Sequence, residues 1–355
     1  MRPPMKLSKH VEDPMSEDCC LDRISSLPDE LLGHLLSFLP TRCAVRTSTL
    51  STRWRYLFTL TSSLSFDDAS CFSLPGRYEV IEATRKFKLF VDKVLELHQI
   101  SPIKKFNLLC KCTYDNSDLN RWVSVAVRKG VQELHYSLSK QSYCFHDGFM
   151  CETLVSLKIS CFHNTFQTPL SVSLPNLKVL NLDRITFMDF DSMERLFSSC
   201  ELLEELTLEY CECDAHGHAI YRTRIIKVLT VHWCWFLRGT FEIDAPNLAY
   251  LTLNSNIGVK IVPSWKYSCS LIQAELSFKC NTYDYYDASD DSVEYDRELL
   301  KAAAYKATKL YFEMDSQKVC VIYIYDLYWP HITSLQHNPT SDLTSGEVGG
   351  RIYEA

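Results

Sequence analysis

Leu203-Glu204-Glu205-Leu206-Thr207-Leu208-Glu209-Tyr210-Cys211 and Ile226-Lys227-Val228-Leu229-Thr230-Val231-His232-Trp233-Cys234 are two settings of one nine-residue pattern. Apolar residues hold the first, fourth and sixth places, and cysteine holds the ninth. A third setting runs from Leu248 to Asn256 and ends on asparagine instead. Apolar side chains two residues apart fall on one face of a strand, so each pattern predicts a short strand with one buried face. Working outward, the same places recur as Leu154-Leu157-Ile159 and Leu177-Leu180-Leu182. Weaker copies are Ile103-Phe106-Leu108, Val131-Leu134-Tyr136 and Leu271-Ala274-Leu276. The first positions (103, 131, 154, 177, 203, 226, 248 and 271) lie 22 to 28 residues apart. A repeat this short cannot bury its apolar face alone and must stack on its neighbours, which makes the chain a solenoid.

The pattern is the signature of a leucine-rich repeat, in which a buried Asn or Cys at the ninth place bonds backbone between turns; Cys211, Cys234 and Asn256 stand there. Segments between strands read as helices in two places: Ser117 to Arg128, capped at Ser117 and closed by Gly130, and Asp191 to Cys200. With the fourth and sixth residues turned inward, the third, fifth and seventh face out on the concave side. These are Glu133, His135 and Ser137; Ser156, Lys158 and Ser160; Val179, Asn181 and Asp183; Glu205, Thr207 and Glu209; Val228, Thr230 and His232; Tyr250, Thr252 and Asn254. A surface this mixed, and acidic in the middle, suits a target with a basic or hydrogen-bonding patch. Degraded copies return as Ala307-Leu310-Phe312 and Ile332-Leu335-His337.

Ahead of the repeats the chain reads as helical. Leu27, Leu31, Leu35, Phe38 and Leu39 share one face of a helix that Pro28 suits at its first turn and Pro40 stops. A short helix over about Arg42 to Leu50 follows, then a third capped by Ser51 that carries Trp54 and Leu57 inward. Glu79 to His98 forms a separate amphipathic helix with Val80, Phe87, Val91, Val94 and Leu95 on its stripe. The segments Leu27-Pro28-Asp29-Glu30-Leu31-Leu32, Ser37-Phe38-Leu39-Pro40, Val45-Arg46-Thr47-Ser48 and Leu50-Ser51-Thr52-Arg53-Trp54-Arg55 resemble an F-box, most of all that of the plant F-box/leucine-rich-repeat group. The resemblance implies three helices docking on an SKP-type adaptor, and through it on cullin, in an SCF ubiquitin ligase. It places Leu27 and Pro28 in the adaptor contact and gives Leu31, Leu35, Leu39 and Val45 to that contact or to the core of the box. Trp54 is expected to pack the box. A box of about forty residues cannot bury all its leucines alone, so a surplus apolar face implies a partner.

The expected organisation is a disordered tail over 1–20, the F-box over 21–62, and a repeat arm over 63–278 that includes helix 79–98. An acidic loop over 279–298, degenerate repeats over 299–337 and a polar tail over 338–355 complete it. Relatives in this plant group often carry a further domain after the repeats, which here reads as degenerate or truncated. The fold class is α/β: a three-helix box and a solenoid with parallel strands on its concave face.

Composition narrows the function. The net charge is −7, against the basic stripe a nucleic-acid binder needs. Most of that charge sits in the loop holding Asp284, Asp287, Asp290, Asp291, Glu294, Asp296 and Glu298 against Arg297. No apolar run is long enough to span a membrane. Sixteen cysteines without a compact framework point to reduced thiols in the cytoplasm or nucleus. Cys211, Cys213, His216 and His218 are too tightly spaced to wrap a tetrahedral zinc, so no metal is expected. With ten glycines there is no phosphate-cradling loop, and no nucleophile comes with a base in a recognisable signature. Hormone-receptor relatives hold an inositol phosphate on basic side chains; Lys158 alone is a permanent cation among the outward positions, so no cofactor is expected. The function read from the sequence is a non-catalytic substrate receptor that recruits an unidentified protein target. The alternative is a scaffold or pseudo-receptor that binds the adaptor without directing ubiquitination.

Overall fold

Among the described residues, every copy of the pattern folds into a parallel strand in a single register. The computed structural model describes residues 23–278, except 73–75, 99–100, 139–146, 162–164, 167–168, 255–257 and 263–270, together with 309–314. Ten strands make the main sheet: β1 (Ser63–Asp67), β2 (Lys105–Cys110), β3 (Glu133–Leu138), β4 (Ser156–Cys161), β6 (Val179–Asp183), β8 (Glu205–Glu209), β11 (Val228–His232), β13 (Tyr250–Asn254), β15 (Gln273–Phe278) and β16 (Lys309–Met314). Fourth-place residues pair across it in a row, Leu157 with Leu180, then Leu206, Leu229, Leu251 and Ala274. All of these are buried, and each leucine of the row contributes roughly 1.5–3 kcal/mol to the folded state.

One turn geometry recurs after β6, β8 and β11. Arg184, Tyr210 and Trp233 adopt φ of 57°, 52° and 52°, a left-handed conformation that costs an L-residue about 1–2 kcal/mol. Each offsets that cost by donating its N–H to the last residue of the next strand: Arg184 to Glu209 O (2.7 Å), Tyr210 to His232 O (2.8 Å) and Trp233 to Asn254 O (2.8 Å). The turn drives the ninth residue inward. Cys211 Sγ donates to Leu182 O at 3.4 Å and Cys234 Sγ to Leu208 O at 3.6 Å, both one turn back. Asn256 lies outside the described residues.

The layer opposite the open face changes along the solenoid. Early turns carry α4 (Arg77–Leu97) and α5 (Asn116–Arg128), and a later one carries α6 (Phe190–Ser198). The 79–98 helix thus starts two residues earlier than expected and ends at Leu97, with His98 as its C-cap. Asp115, not Ser117, is the N-cap of α5; the cap of α6 is Asp189, whose carboxylate accepts the Ser192 N–H at 2.6 Å. Beyond α6 the outer layer becomes a second parallel sheet of β10 (Gly217–Arg222), β12 (Gly239–Asp244) and β14 (Val259–Val262). A Cβ at Gly239 would fall 2.3 Å from Gly217 O and 2.4 Å from the Phe190 ring; glycine is required there for α6 to lie against the sheet. Two-residue strands β5 (Thr165–Phe166), β7 (Thr186–Phe187) and β9 (Glu212–Cys213) make a third small sheet.

The N-terminal helices are shorter than expected. α1 spans Asp29–Leu36, with Pro28 as N-cap, and ends before Phe38; α2 spans Thr41–Arg46 and passes into a 3₁₀ turn over Thr47–Thr49. The third helix is 3₁₀, Arg53–Leu60, with Thr52 rather than Ser51 at its N-cap position and no side-chain cap. It buries Trp54, Leu57 and Phe58. These helices close the solenoid. β1 is the edge strand, and its Ser65 N–H is accepted by Thr41 Oγ1 of α2 at 2.7 Å, while Ser62 N–H goes to Ser37 Oγ at 3.0 Å. His98, fully buried, meets Thr61 O through Nε2 at 2.7 Å and so ties the end of α4 to the end of the 3₁₀ helix.

Just past β1 the buried Asp68 (α3 begins at Ala69 and ends at Phe72) gathers three donors. They are Lys111 N–H at 2.7 Å, Cys112 N–H at 2.9 Å and Tyr114 O–H at 2.8 Å. Burial, reinforced by the Asp68 charge, pushes the Tyr114 phenol far up, so it remains the donor.

Candidate functional site

α1 has two apolar faces with opposite fates. Leu32, Gly33 and Leu36 face the third helix and are buried. Gly33 makes that approach possible, since a Cβ there would lie 2.7 Å from Leu60 Cβ. Leu31 and Leu35 on the other face, with Phe38 and Leu39 in the turn just beyond α1, are 51%, 50%, 74% and 41% exposed. Burying four such groups against a partner would release several kcal/mol, and monomeric proteins rarely leave a contiguous apolar patch without use for it. Of the other residues assigned to the adaptor contact, Pro28 is exposed, whereas Leu27 and Val45 are half-buried and pack on the core. Phe38, in the stripe but outside the assigned set, is the most exposed of the group; His34 meets its ring edge-on at 5.1 Å between centroids.

The start of α1 is held by a residue that sequence reading left without a role. Arg53 donates to Asp29 Oδ1 through Nε (3.1 Å) and Nη2 (2.7 Å), and Nη2 also reaches Leu27 O. Trp54 Nε1 donates to Ser25 Oγ at 3.2 Å. The Arg-Trp pair of the motif therefore pins the entry to α1 and fixes the direction of its exposed stripe.

The second surface is the open face of the main sheet. Of the thirteen residues assigned to it, Glu133, Lys158, Glu205 and Tyr250 are exposed. His135, Asn181, Asp183, Thr207, Glu209, Thr230, His232, Thr252 and Asn254 are half-buried between neighbouring strands. Ser160 is buried, contrary to the outward placement expected of it. Register brings Asp183, Glu209, His232 and Asn254 into one row, and Asn181, Thr207, Thr230 and Thr252 into the next. Asn181 Oδ1, His232 Nε2 and Asn254 Oδ1 are covered yet find no hydrogen-bond partner among the described residues. At the rim the Arg184 guanidinium lies 5.0 Å above the Tyr210 ring centroid and 3.8 Å from Asp183. Burial, aided by the Lys158 charge, lowers the pKa of His135. Glu204, below the sheet's N-terminal edge, is held down to about 2 by Lys227 (2.8 Å) and Lys178 (3.0 Å).

The cysteine–histidine cluster is not assembled. Cys211 and Cys213 are buried while His216 and His218 are exposed, and among the described residues no three His, Cys, Asp or Glu side chains converge as metal ligands. No described helix is long and apolar enough to cross a membrane.

The F-box domain model matches residues 24–65, and the model of the repeats of FBD-associated F-box protein At5g56370 matches residues 119–283. F-box/LRR-repeat protein At3g59190 of Arabidopsis thaliana is 36% identical over 76% of this chain and 71% of its own length. F-box protein At3g59000 is 39% identical over 65% of this chain and 48% of its own, and F-box/LRR-repeat protein At3g59210 is 34% identical over 74% and 55%; both are also from Arabidopsis thaliana. The chain spans about half the length of most of the curated relatives it matches. Helical box, parallel solenoid and these matches agree: the chain belongs to the F-box/LRR-repeat family.

Proposed function

We propose that this protein is a substrate-recognition subunit of an SCF-type ubiquitin ligase, docking on an SKP-type adaptor through α1 and gripping a protein target on the open face of its sheet. The observation that carries the reading is the uncovered stripe Leu31, Leu35, Phe38 and Leu39 beside a fully built core. The mechanism is proximity: the target's lysines gain a high effective concentration near the charged conjugating enzyme, and no side chain here acts as acid, base or nucleophile. The unspent polar atoms of Asn181, His232 and Asn254, with the carboxylates of Asp183, Glu205 and Glu209, favour a target segment that is basic and rich in hydrogen-bonding groups.

The test is co-purification with an SKP-type adaptor. Leu35→Asp combined with Phe38→Asp is expected to abolish capture while leaving the melting temperature within a few degrees of wild type. Leu32→Ala, on the buried face, is expected to lower stability by about 2–5 kcal/mol. A folded double variant that still captures the adaptor refutes the docking surface. Adaptor capture without any change in target half-life when the protein is removed from cells would favour a scaffold instead.

A further inference from the structure

Where the box meets the arm, a hollow of about 390 Å³ opens between α2, α3 and α4. Its floor is apolar, made chiefly by Val45, Phe87 and Phe90, and its rim carries Arg42, Arg46 and Lys86. The two arginines stand four residues apart on α2 and have no ion-pair partner among the described residues. Lys86 lies 3.6 Å from Glu82, but that carboxylate is held chiefly by Arg85 at 2.8 Å. Among the described residues neither Asp67, the last residue of β1, nor Asp68 after it forms an ion pair with Arg42, Arg46 or Lys86. Asp68 is engaged by Lys111, Cys112 and Tyr114, and Asp67 accepts the Ala69 N–H at 2.7 Å. The volume is at the lower end of small-ligand sites, and guanidinium forks are suited to bidentate contact with an oxyanion.

We propose that this hollow binds a small amphipathic organic anion, its aromatic or alkyl body on the Val45–Phe87–Phe90 floor and its carboxylate, sulfonate or phosphate between Arg42, Arg46 and Lys86. Such a ligand bridges box and arm, since α2 belongs to one and α4 to the other. The proposal is independent of adaptor docking and stands or falls without it.

The probe is 8-anilinonaphthalene-1-sulfonate, titrated into the full chain by fluorescence. Inorganic phosphate supplies the anion alone, and N-phenyl-1-naphthylamine the rings alone. The expected result is a saturable site for the sulfonate dye that Arg46→Glu and Lys86→Glu each weaken by about tenfold or more. Phosphate and the neutral amine should each bind at least about tenfold more weakly than the dye. Because Lys86 is largely exposed (71% of its side chain), Lys86→Glu keeps the test decisive should Arg46→Glu fail to fold; unchanged melting curves establish folding. Phe38→Asp reports dye adsorbed on the α1 stripe and should leave the saturable site intact. Unchanged affinity in folded Arg46→Glu and Lys86→Glu chains overturns the proposal. So does loss of the site in Phe38→Asp, equal binding of the neutral amine, or phosphate as tight as the dye.

Discussion

Replacing Asp68 tests the packing of the first solenoid turn most directly. Its side chain is buried and accepts from two backbone amides and one phenol, all within 2.9 Å. Hydrogen bonds to a charged acceptor are worth about 1.5–3 kcal/mol each, and a buried donor left unpaired costs about 1–3 kcal/mol. Lys111 is exposed, so water replaces that acceptor cheaply; Cys112 and Tyr114 are buried, so theirs is not replaced. Asp68→Ala should therefore destabilise the protein by about 3–5 kcal/mol, a large share of the ~5–15 kcal/mol that holds a typical domain. Asp68→Asn retains one acceptor oxygen but turns an N–H₂ toward a donor, for an expected loss of about 1–3 kcal/mol. Tyr114→Phe should cost about 1 kcal/mol, and the Asp68/Tyr114 double-mutant cycle should show a coupling of roughly 1–2 kcal/mol. Urea unfolding followed by tryptophan fluorescence measures all of these from midpoints at constant slope. An Asp68→Asn chain within about 0.5 kcal/mol of wild type, the range of a neutral surface change, would refute the account.

Thr41→Val keeps the shape but removes the acceptor from the Ser65 N–H, and an unfolding measurement should register a loss of about 1–3 kcal/mol. Burial, with a lesser contribution from Lys129, lowers the pKa of His98 from its ordinary 6.5. The unfolded chain thus takes up a proton there first, so stability should fall as pH drops below about 6.5; His98→Gln should flatten the ΔG–pH slope between about pH 7 and pH 5, and an unaltered slope would count against it. Brief alkylation of the native protein should modify Cys43, which is exposed, ahead of Cys161 and Cys200, whose thiols burial pushes up to about 12 and about 11; peptide mass mapping gives the order. Glu204→Gln removes a carboxylate shared by Lys178 and Lys227; because all three are on the surface, the melting temperature should shift only slightly and less still at high salt.

The solenoid was legible because the same spacing recurs eight times, and each copy paired in the expected register. β1 escaped notice because its first place is Thr61, a buried polar residue that hides the leucine-like pattern. β16 was readable from Ala307-Leu310-Phe312 despite its degraded copy. The outer sheet was not anticipated. Ala219 with Tyr221, Phe241 with Ile243 and Val259 with Ile261 do alternate, but runs this short do not separate strand from irregular backbone. The extent of α1 was overread because Phe38 and Leu39 continue its stripe beyond its last turn. The predicted acidic loop, the terminal tails and the repeat at Ile332-Leu335-His337 fall outside the described residues. The clamp from Arg53 to Asp29 and the basic-rimmed hollow join residues distant in the chain, and no local spacing announces either.

Because Thr41 accepts the Ser65 N–H of β1 and Ser37 accepts the N–H of Ser62 just before it, the box, which we propose as the docking module, also lies along the outer edge of the sheet. Two consequences follow together. A foreign strand pairing at that end would have to displace α2 from Ser65, which works against one route to self-association. The bearing of the α1 stripe relative to the open face is also set by a seal, not by a tether. If the open face binds a target as proposed, each added or deleted repeat would displace that target by about 4.8 Å along the stack, so the repeat count would act as a ruler for where it sits.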